Sequence, residues 1–372
     1  GVDSCLGGEY EKPLVELVSS LDAASSGDSS DASKDGSSDA STDKIEGVSR
    51  RGQLSLPILE KLSFATPTRK ALPSLEAYAQ LDEGGEFRTA GYTEASRGCL
   101  HLCTHCPIPP VYGGRFFVLP QEVVLEDIRR QVEAGATHIT FGDPDFLNGP
   151  NHSLRVVRAM HEEFPTLTFD FTAKVEHLLN RGEGLPEFAE AGCLFIITAV
   201  ESLSNKVLTI LDKQHTRADV VAAMQLVRDA GIAPRPTWVS FTPWTTLDDF
   251  QEVLEFVETN KLIDNIDPVQ YSVRLLIPPG SWLADHEATL PHRGPLDEAA
   301  FTYRWTHPDP RMDKLQKAVG KLVAEDAESE RDPAATFYSV KELANGRDPV
   351  GVSCSLSPDR QRAPRLTEAW FC

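Results

Sequence analysis

Sulfur is scarce in this chain of 372 residues, which has three methionines and seven cysteines. The cysteine count is odd, and Cys5, Cys193, Cys354 and Cys372 are scattered, which is unlike the disulfide framework of a small secreted domain. Basic side chains are also short: 36 Lys and Arg face 56 Asp and Glu, for a net charge of −20, and no basic stripe stands out. That balance argues against a nucleic-acid partner, because affinity for phosphate backbones comes from cations that displace counterions. The sequence lacks an uninterrupted apolar run of membrane-spanning length and a charged-then-apolar leader, so no membrane partner is expected. What remains is a cytoplasmic enzyme or binding protein, whose 41% hydrophobic content can fill one large core.

Three cysteines are clustered. The stretch "ASRGCLHLCTHCPIPPVYGGRFF", residues 95–117, sets Cys99, Cys103 and Cys106 at the spacing CxxxCxxC. Thiolates are soft ligands, suited to zinc or to iron–sulfur clusters. Structural zinc takes four protein ligands at tetrahedral geometry, usually from two separated pairs. His101 or His105 completing a Cys3His site would make the chain a non-catalytic metal-binding scaffold. A cubane on three cysteines instead leaves one iron without a protein ligand, which makes it a binding site for a small molecule. Cys193 adjoins the apolar run "LFIITAV" and is expected to be an inert core thiol.

Along the chain, residues 1–20 show a strand end, the Gly7-Gly8 turn and an amphipathic helix with Leu14, Leu17 and Val18 on one face. Residues 21–50 are dominated by Ser, Asp, Ala and Gly and are expected to be a disordered linker, since they cannot bury enough apolar surface to offset ordering. Residues 51–86, with Pro57, Pro67 and Pro73, suggest an irregular connector. From 87 to 285 buried strands alternate with amphipathic helices. Strands are expected at 137–142, 167–174, 194–201, 235–241 and 269–277 after a first one in "FRTAGYTEAS", with helices near 120–134, 151–164, 175–191, 217–230 and 246–260. Such alternation implies right-handed parallel βαβ units, and six of them make a partial (βα)6 TIM-like barrel in an α/β fold. Chemistry in such barrels gathers at the C-terminal ends of the strands, and the three cysteines follow the first strand. Residues 286–372 lose the alternation and are expected to form a C-terminal extension near the barrel mouth.

A strand, a CxxxCxxC loop and βα repeats together resemble the radical S-adenosylmethionine (SAM) superfamily. The resemblance implies a 4Fe-4S cluster on Cys99, Cys103 and Cys106, with SAM chelating the open iron. His105, just before the third cysteine, matches the position of an aromatic side chain near the adenine. "FGDPDF" stands where the family places the segment that contacts the SAM amino group, which makes Gly142 and Asp143 candidates, with Asp145 behind them. Glu201, in "TAVES", matches a position that often touches SAM, and an acidic group at a strand end is costly unless paired or solvated. Arg274, inside the apolar "VQYSVRLLIPPGS", suits either a bidentate carboxylate clamp or a structural ion pair. The usual Gly-containing adenine segment of the fifth strand is replaced by "PTWVSFTPWTT". A small-molecule substrate and a reductant such as flavodoxin or ferredoxin are the partners the resemblance implies.

Two narrower likenesses concern the ends. "DSCLGGEYEKPLVEL" is similar to the last strand and helix of the cobalamin-binding-type Rossmann domain that precedes many radical SAM barrels, so residues 1–20 are expected to be its remnant. The histidine loop that would ligate cobalt is not among these residues, which leaves cobalamin untested as a cofactor. "GYTEASRGCLHLCTHCPIPPVYGGRF", "FTPWTTLDDF", "RLLIPPGSWL" and "RLTEAWFC" resemble the radical SAM proteins named for a CUAEP or CCAEP tail, some of them selenoproteins. That likeness implies that Cys372 is half of a Cys-Sec or Cys-Cys redox tail, with selenocysteine read as a stop.

Overall fold

The computed structural model describes residues 4–26, 45–50, 54–61, 63–349, 357 and 360–367. A short strand β1 (Ser4–Leu6) leads through the Gly7-Gly8 turn into helix α1 (Glu11–Ser26), and β1 pairs antiparallel with β2 (Val48–Arg50). Helix α1 therefore extends six residues into the expected linker, and residues 48–50 are strand; the rest of that expectation falls outside the described residues. The connector is also less irregular than its prolines suggest, because β3 (Gln80–Glu83) turns through Gly84-Gly85 into β4 (Glu86–Thr93) as an antiparallel hairpin. Both turn glycines have positive φ, as a tight hairpin turn demands.

After β4 the chain forms β5 (Ser96–Gly98), the cysteine loop, the single-turn helix α2 (Pro109–Tyr112) and β6 (Phe116–Val118), which pairs back onto β5. The alternating units follow: α3 (Gln121–Glu133) and β7 (His138–Phe141), α4 (Pro150–Glu163) and β8 (Thr168–Ala173), then α5 (Val175–Arg181), α6 (Leu185–Glu190) and β9 (Cys193–Glu201). Next come α7 (Asn205–Ile210), α8 (Arg217–Asp229), β10 (Ala233–Trp238) and α9 (Leu247–Thr259). The starts of α8 and α9 are written in sequence: Thr216 with Asp219 and Thr246 with Asp249 each form a capping box, which satisfies two otherwise orphaned donors.

Strands β4, β7, β8, β9 and β10 run parallel in that spatial order, and β3 and then β13 (Arg365–Leu366) extend the sheet beyond β4. The result is a partial TIM-like barrel. Its sixth position is not the strand expected at 269–277. Pro268, which lacks an N–H, opens a 3-10 turn over Pro268–Tyr271, and the strand-like pairing of this segment among the described residues is one bridge between Arg274 and Phe241, just past β10, with two ladder hydrogen bonds. Between sheet and helices lies the main core, where the rings of Phe141, Phe146, Phe169, Phe171 and Phe188 form a network with neighbouring centroids 4.5–6.5 Å apart. The opposite face of β7 and β8 is polar and buried, with His138 Nε2 2.8 Å from Asp170.

The chain ends with the hairpin β11 (Arg293–Asp297) and β12 (Thr302–Trp305), helices α10 (Pro310–Glu328) and α11 (Pro333–Ala344), and β13. Strand β13 pairs beside Leu81 and Asp82, level with Arg88 and Phe87 at the start of β4. The last described segment thus sits at the end of the barrel opposite the cysteine loop, not at its mouth. No helix among the described residues is long and apolar enough to cross a membrane.

Candidate functional site

The cysteine loop is held at both flanks. Gly98 has φ +76°, and a Cβ there would lie 2.4 Å from the Arg115 carbonyl oxygen, the atom that accepts the Cys99 N–H at 3.1 Å. A side chain at 98 would displace the bond that places Cys99. Further along, the Thr104 N–H donates to the Leu211 carbonyl and the Leu283 N–H donates to Thr104. Asn148 Oδ1 accepts from the Leu100 N–H at 3.3 Å and lies 3.9 Å from the Cys99 sulfur. Cys99 and Cys103 are buried and Cys106 is half-buried. Burial pushes the Cys106 thiol up to about 11, and Cys103 and Cys99 add to the rise; burial likewise raises Cys99.

Beside the loop, β9 ends at Glu201, whose φ of +68° is rare for a residue with a side chain and is the kind of strain that clusters at functional positions. Its Oε1 lies 3.1 Å from Lys213 Nζ and 3.4 Å from His105 Nε2. Burial alone would raise the Glu201 carboxyl, but Lys213 and then His105 outweigh it and hold the group well below the usual carboxylate range. Lys213 is itself buried, a cost outweighed by Glu201, Cys103 and Cys106, so it stays protonated. The Nδ1 atom of His105 is buried without a hydrogen-bond partner among the described residues.

The "FGDPDF" segment divides. Gly142 is needed for close approach, since a Cβ would fall 1.8 Å from Tyr92 Oη. Asp143 turns inward: its carboxylate accepts the Ala95 N–H at 2.9 Å and the Ser96 hydroxyl at 2.5 Å, bracing the strand that enters the cysteine loop. Burial pushes its carboxyl up to about 7. Asp145 Oδ2 lies 2.8 Å from His177 Nδ1 and 3.5 Å from His101 Nε2. Burial would raise this carboxyl too, and the two imidazoles outweigh it, keeping Asp145 low.

The geometry brings His105 and Glu201 together, while Asp143 bonds Ala95 and Ser96 and Gly142 packs against Tyr92. Arg274 does not join: its guanidinium donates to Asp313 Oδ1 at 2.8 Å and to the Trp305 carbonyl at 2.7 Å, and lies 3.4 Å from the Trp305 ring centroid. In this structure Arg274 is engaged in an ion pair with Asp313. Neither loop histidine turns its partnered nitrogen toward the thiols; His101 is engaged by Lys174, Asp145 and His177, and His105 by Glu201. Among the described residues, the side chains close enough to share one ion are His101, Asp145 and His177. Cys193 is buried, as expected of a core thiol; Cys354 and Cys372 lie outside the described residues. Sequence reasoning missed Lys213, Lys174, His177 and Asn148. Lys174 and His177 directly follow β8, and strand C-terminal ends are where barrel sites form, so that rule would have nominated them; Lys213 sits in a loop with no pattern of its own.

Residues 93–257 match the profile of the Radical SAM superfamily. The chain is 24% identical over 247 residues to tRNA-2-methylthio-N(6)-dimethylallyladenosine synthase of Aliivibrio fischeri (strain MJ11), covering 62% of this chain and 50% of that protein. To the ribosomal protein uS12 methylthiotransferase RimO of Porphyromonas gingivalis (strain ATCC 33277) it is 27% identical over 198 residues, 48% of this chain and 44% of the other. The chain spans about half the length of these curated relatives. In fold it is similar to the cobalamin-dependent SAM radical enzyme OxsB with aqua-cobalamin bound (TM-score 0.65, 18% identity, 91% of this chain and 56% of that one). It is also similar to the radical SAM methyltransferase TsrM of Kitasatospora setae (TM-score 0.55, 17% identity, 91% and 67%). The cysteine loop, most of the partial barrel and its strand-end polar groups fall within residues 93–257, the stretch that matches the Radical SAM superfamily.

Proposed function

We propose that the chain is a radical SAM enzyme in which Cys99, Cys103 and Cys106 hold a 4Fe-4S cluster and SAM binds beside it, acting on a small-molecule substrate. The observation that carries this reading is the placing of two buried thiols and a half-buried one beside a buried lysine. Burial, chiefly, holds Cys99 and Cys106 toward the neutral thiol, and a metal that takes them as thiolates supplies the positive charge that reverses this. The donor set therefore fits the group. When bound, the cluster supplies the electron for reductive cleavage of SAM.

This chain's residues have separable tasks. Gly98, Arg115 and Asn148 place Cys99; Asp143 fixes the strand before it; Glu201 holds His105 and Lys213 at the third cysteine. The unmet Nδ1 of His105 suits a polar atom of the adenine, and Gly142 and Asp145 stay candidates for the SAM side. A flavodoxin- or ferredoxin-like reductant is the electron source this reading needs. Likeness to OxsB and TsrM over 91% of this chain reaches well beyond residues 93–257. It supports reading β1 and α1 as the end of a cobalamin-binding-type domain and cobalamin as a further cofactor. The narrower kinship with CUAEP/CCAEP-tail proteins, and a redox role for Cys372, rest on the quoted segments; a genomic codon after Cys372 that is neither UGA nor a cysteine codon removes that part.

Anaerobic purification and reconstitution test the central claim. A brown protein with about four irons per chain is expected from a cubane on this loop, with 5′-deoxyadenosine or methylthioadenosine formed from SAM on reduction, and with serine at any of the three cysteines abolishing both. A folded chain that stays free of iron and retains one zinc overturns the reading in favour of a metal-binding scaffold.

A further inference from the structure

The barrel mouth carries a second constellation that the cysteine loop does not explain. His101 comes from the loop, Asp145 follows β7, and His177 lies in the first turn of α5 after β8. His101 Nε2 and His177 Nδ1 are 3.4 Å apart, His177 Nδ1 and Asp145 Oδ2 are 2.8 Å apart, and His101 Nε2 and Asp145 Oδ2 are 3.5 Å apart. All three side chains are nearly enclosed. Two of these contacts are too long for good hydrogen bonds. One point in the plane of the triangle lies about 1.9 Å from all three atoms, and a small step out of that plane lengthens each separation to the roughly 2.0–2.2 Å of nitrogen and oxygen ligands on a first-row cation.

We propose that His101, Asp145 and His177 form a mononuclear site for a first-row divalent cation such as Zn2+, Fe2+, Co2+ or Mn2+, separate from the three thiols. Two imidazoles and a carboxylate select these borderline ions over magnesium or calcium. Three protein ligands leave coordination positions open, the hallmark of a site that takes substrate or water rather than one that only props a fold.

The surroundings are arranged for the ion's arrival and departure. Asp145 Oδ1 accepts the Leu147 N–H at 3.0 Å, which orients the carboxylate while leaving Oδ2 toward the imidazoles. Glu176 Oε2 lies 3.5 Å from His101 Nδ1, within reach to accept that N–H once Nε2 ligates, as ligating histidines ordinarily require of a neighbour. Lys174 Nζ, 3.0 Å from His101 Nδ1 and 3.4 Å from Glu176, occupies that acceptor in the ion-free state and offsets the two carboxylates. Binding an ion therefore exchanges the Lys174–His101 bond for a His101–Glu176 bond, and Lys174 opposes binding electrostatically.

Mn2+ is the probe, because thiols hold it poorly and its free aqueous form is counted by electron paramagnetic resonance. The full chain, reconstituted with iron and sulfide without oxygen and then passed over a chelator to remove iron outside the cluster, is titrated with Mn2+. One equivalent should be taken up, with affinity falling at least about tenfold in His177→Ala and in Asp145→Asn and rising in Lys174→Met; the tenfold figure is the loss typical even of outer-shell partners. The Lys174→Met arm separates a lost site from a damaged fold, since misfolding does not tighten binding. Uptake without fixed stoichiometry, or equal affinity across the wild type and all three variants, overturns the proposal. The titration does not depend on SAM cleavage, so failure of the proposed activity and failure of this site are told apart.

Discussion

The ammonium of Lys213 lies 3.1 Å from Oε1 of Glu201, and it is the buried cation that both Cys103 and Cys106 sense. One side chain thus neutralises a carboxylate at the end of β9 and lowers the cost of ionising the Cys106 thiol.

Lys213→Met is expected to destabilise the iron-free chain by about 3 kcal/mol, because removing one partner of an enclosed ion pair strands the other charge. Urea unfolding measures it. The double variant Lys213→Met/Glu201→Gln should recover most of the loss, since no uncompensated charge remains. If the double variant is as unstable as the single one, the lysine's contribution is packing and not charge.

Gly98→Ala is expected to cost about 3 kcal/mol, combining a left-handed backbone conformation with overlap of a neighbouring carbonyl. The overlapped atom is the Arg115 oxygen that accepts the Cys99 N–H, so iron retention after reconstitution should fall along with stability. Gly113→Ala is the control. It shares a positive φ, but a Cβ there meets nothing within 4 Å. It should lose only the backbone part and keep its iron.

Periodicity made the parallel units legible because each of β7, β8, β9 and β10 is bounded by helices whose apolar faces repeat, and the capping boxes of α8 and α9 mark their own starts. It failed at 269–277, where an apolar run reads as a strand but Pro268 turns the chain into a 3-10 turn and leaves a single bridge. It failed also at Gln80–Glu83 and Arg365–Leu366, edge pieces too short to show a period. Spacing singled out the three cysteines because neighbours in sequence are neighbours in space. Lys213, twelve residues beyond Glu201, and His177, thirty-two beyond Asp145, meet their partners only through tertiary folding, which no local pattern encodes.

Asp143 makes the stability of the chain depend on pH in an unusual direction for a carboxylate. Its folded-state value is pushed up to about 7 from an ordinary 3.8, chiefly by burial. The contribution is therefore fully present below about pH 4 and lost as pH rises through about 7, on the order of 4 kcal/mol in all. Urea unfolding of the wild type and of Asp143→Asn between pH 5 and 8 isolates it as a difference. The wild type should lose ground to the variant up to about pH 7 and run parallel to it above that. Parallel curves mean that Asp143 is ionised throughout, stabilised by the Ala95 N–H and Ser96 hydroxyl more strongly than its burial opposes.

Arg274 distinguishes a ligand clamp from a structural brace. Its guanidinium bonds Asp313 and the Trp305 carbonyl while stacking on the Trp305 ring, and Asp313 also accepts the His307 N–H at 3.0 Å. One planar cation thus ties the sixth barrel position to β12 and to the start of α10. Arg274→Lys keeps the charge but cannot form the forked bonds or the flat stack, so it should lose about 1–2 kcal/mol, and Arg274→Met about 2–3 kcal/mol. Both should bind SAM as the wild type does in equilibrium dialysis of the reconstituted protein, because the guanidinium is already committed to Asp313, the Trp305 carbonyl and the Trp305 ring. A variant that keeps its stability and loses SAM binding reverses the assignment: the Asp313 contact must then open when SAM arrives.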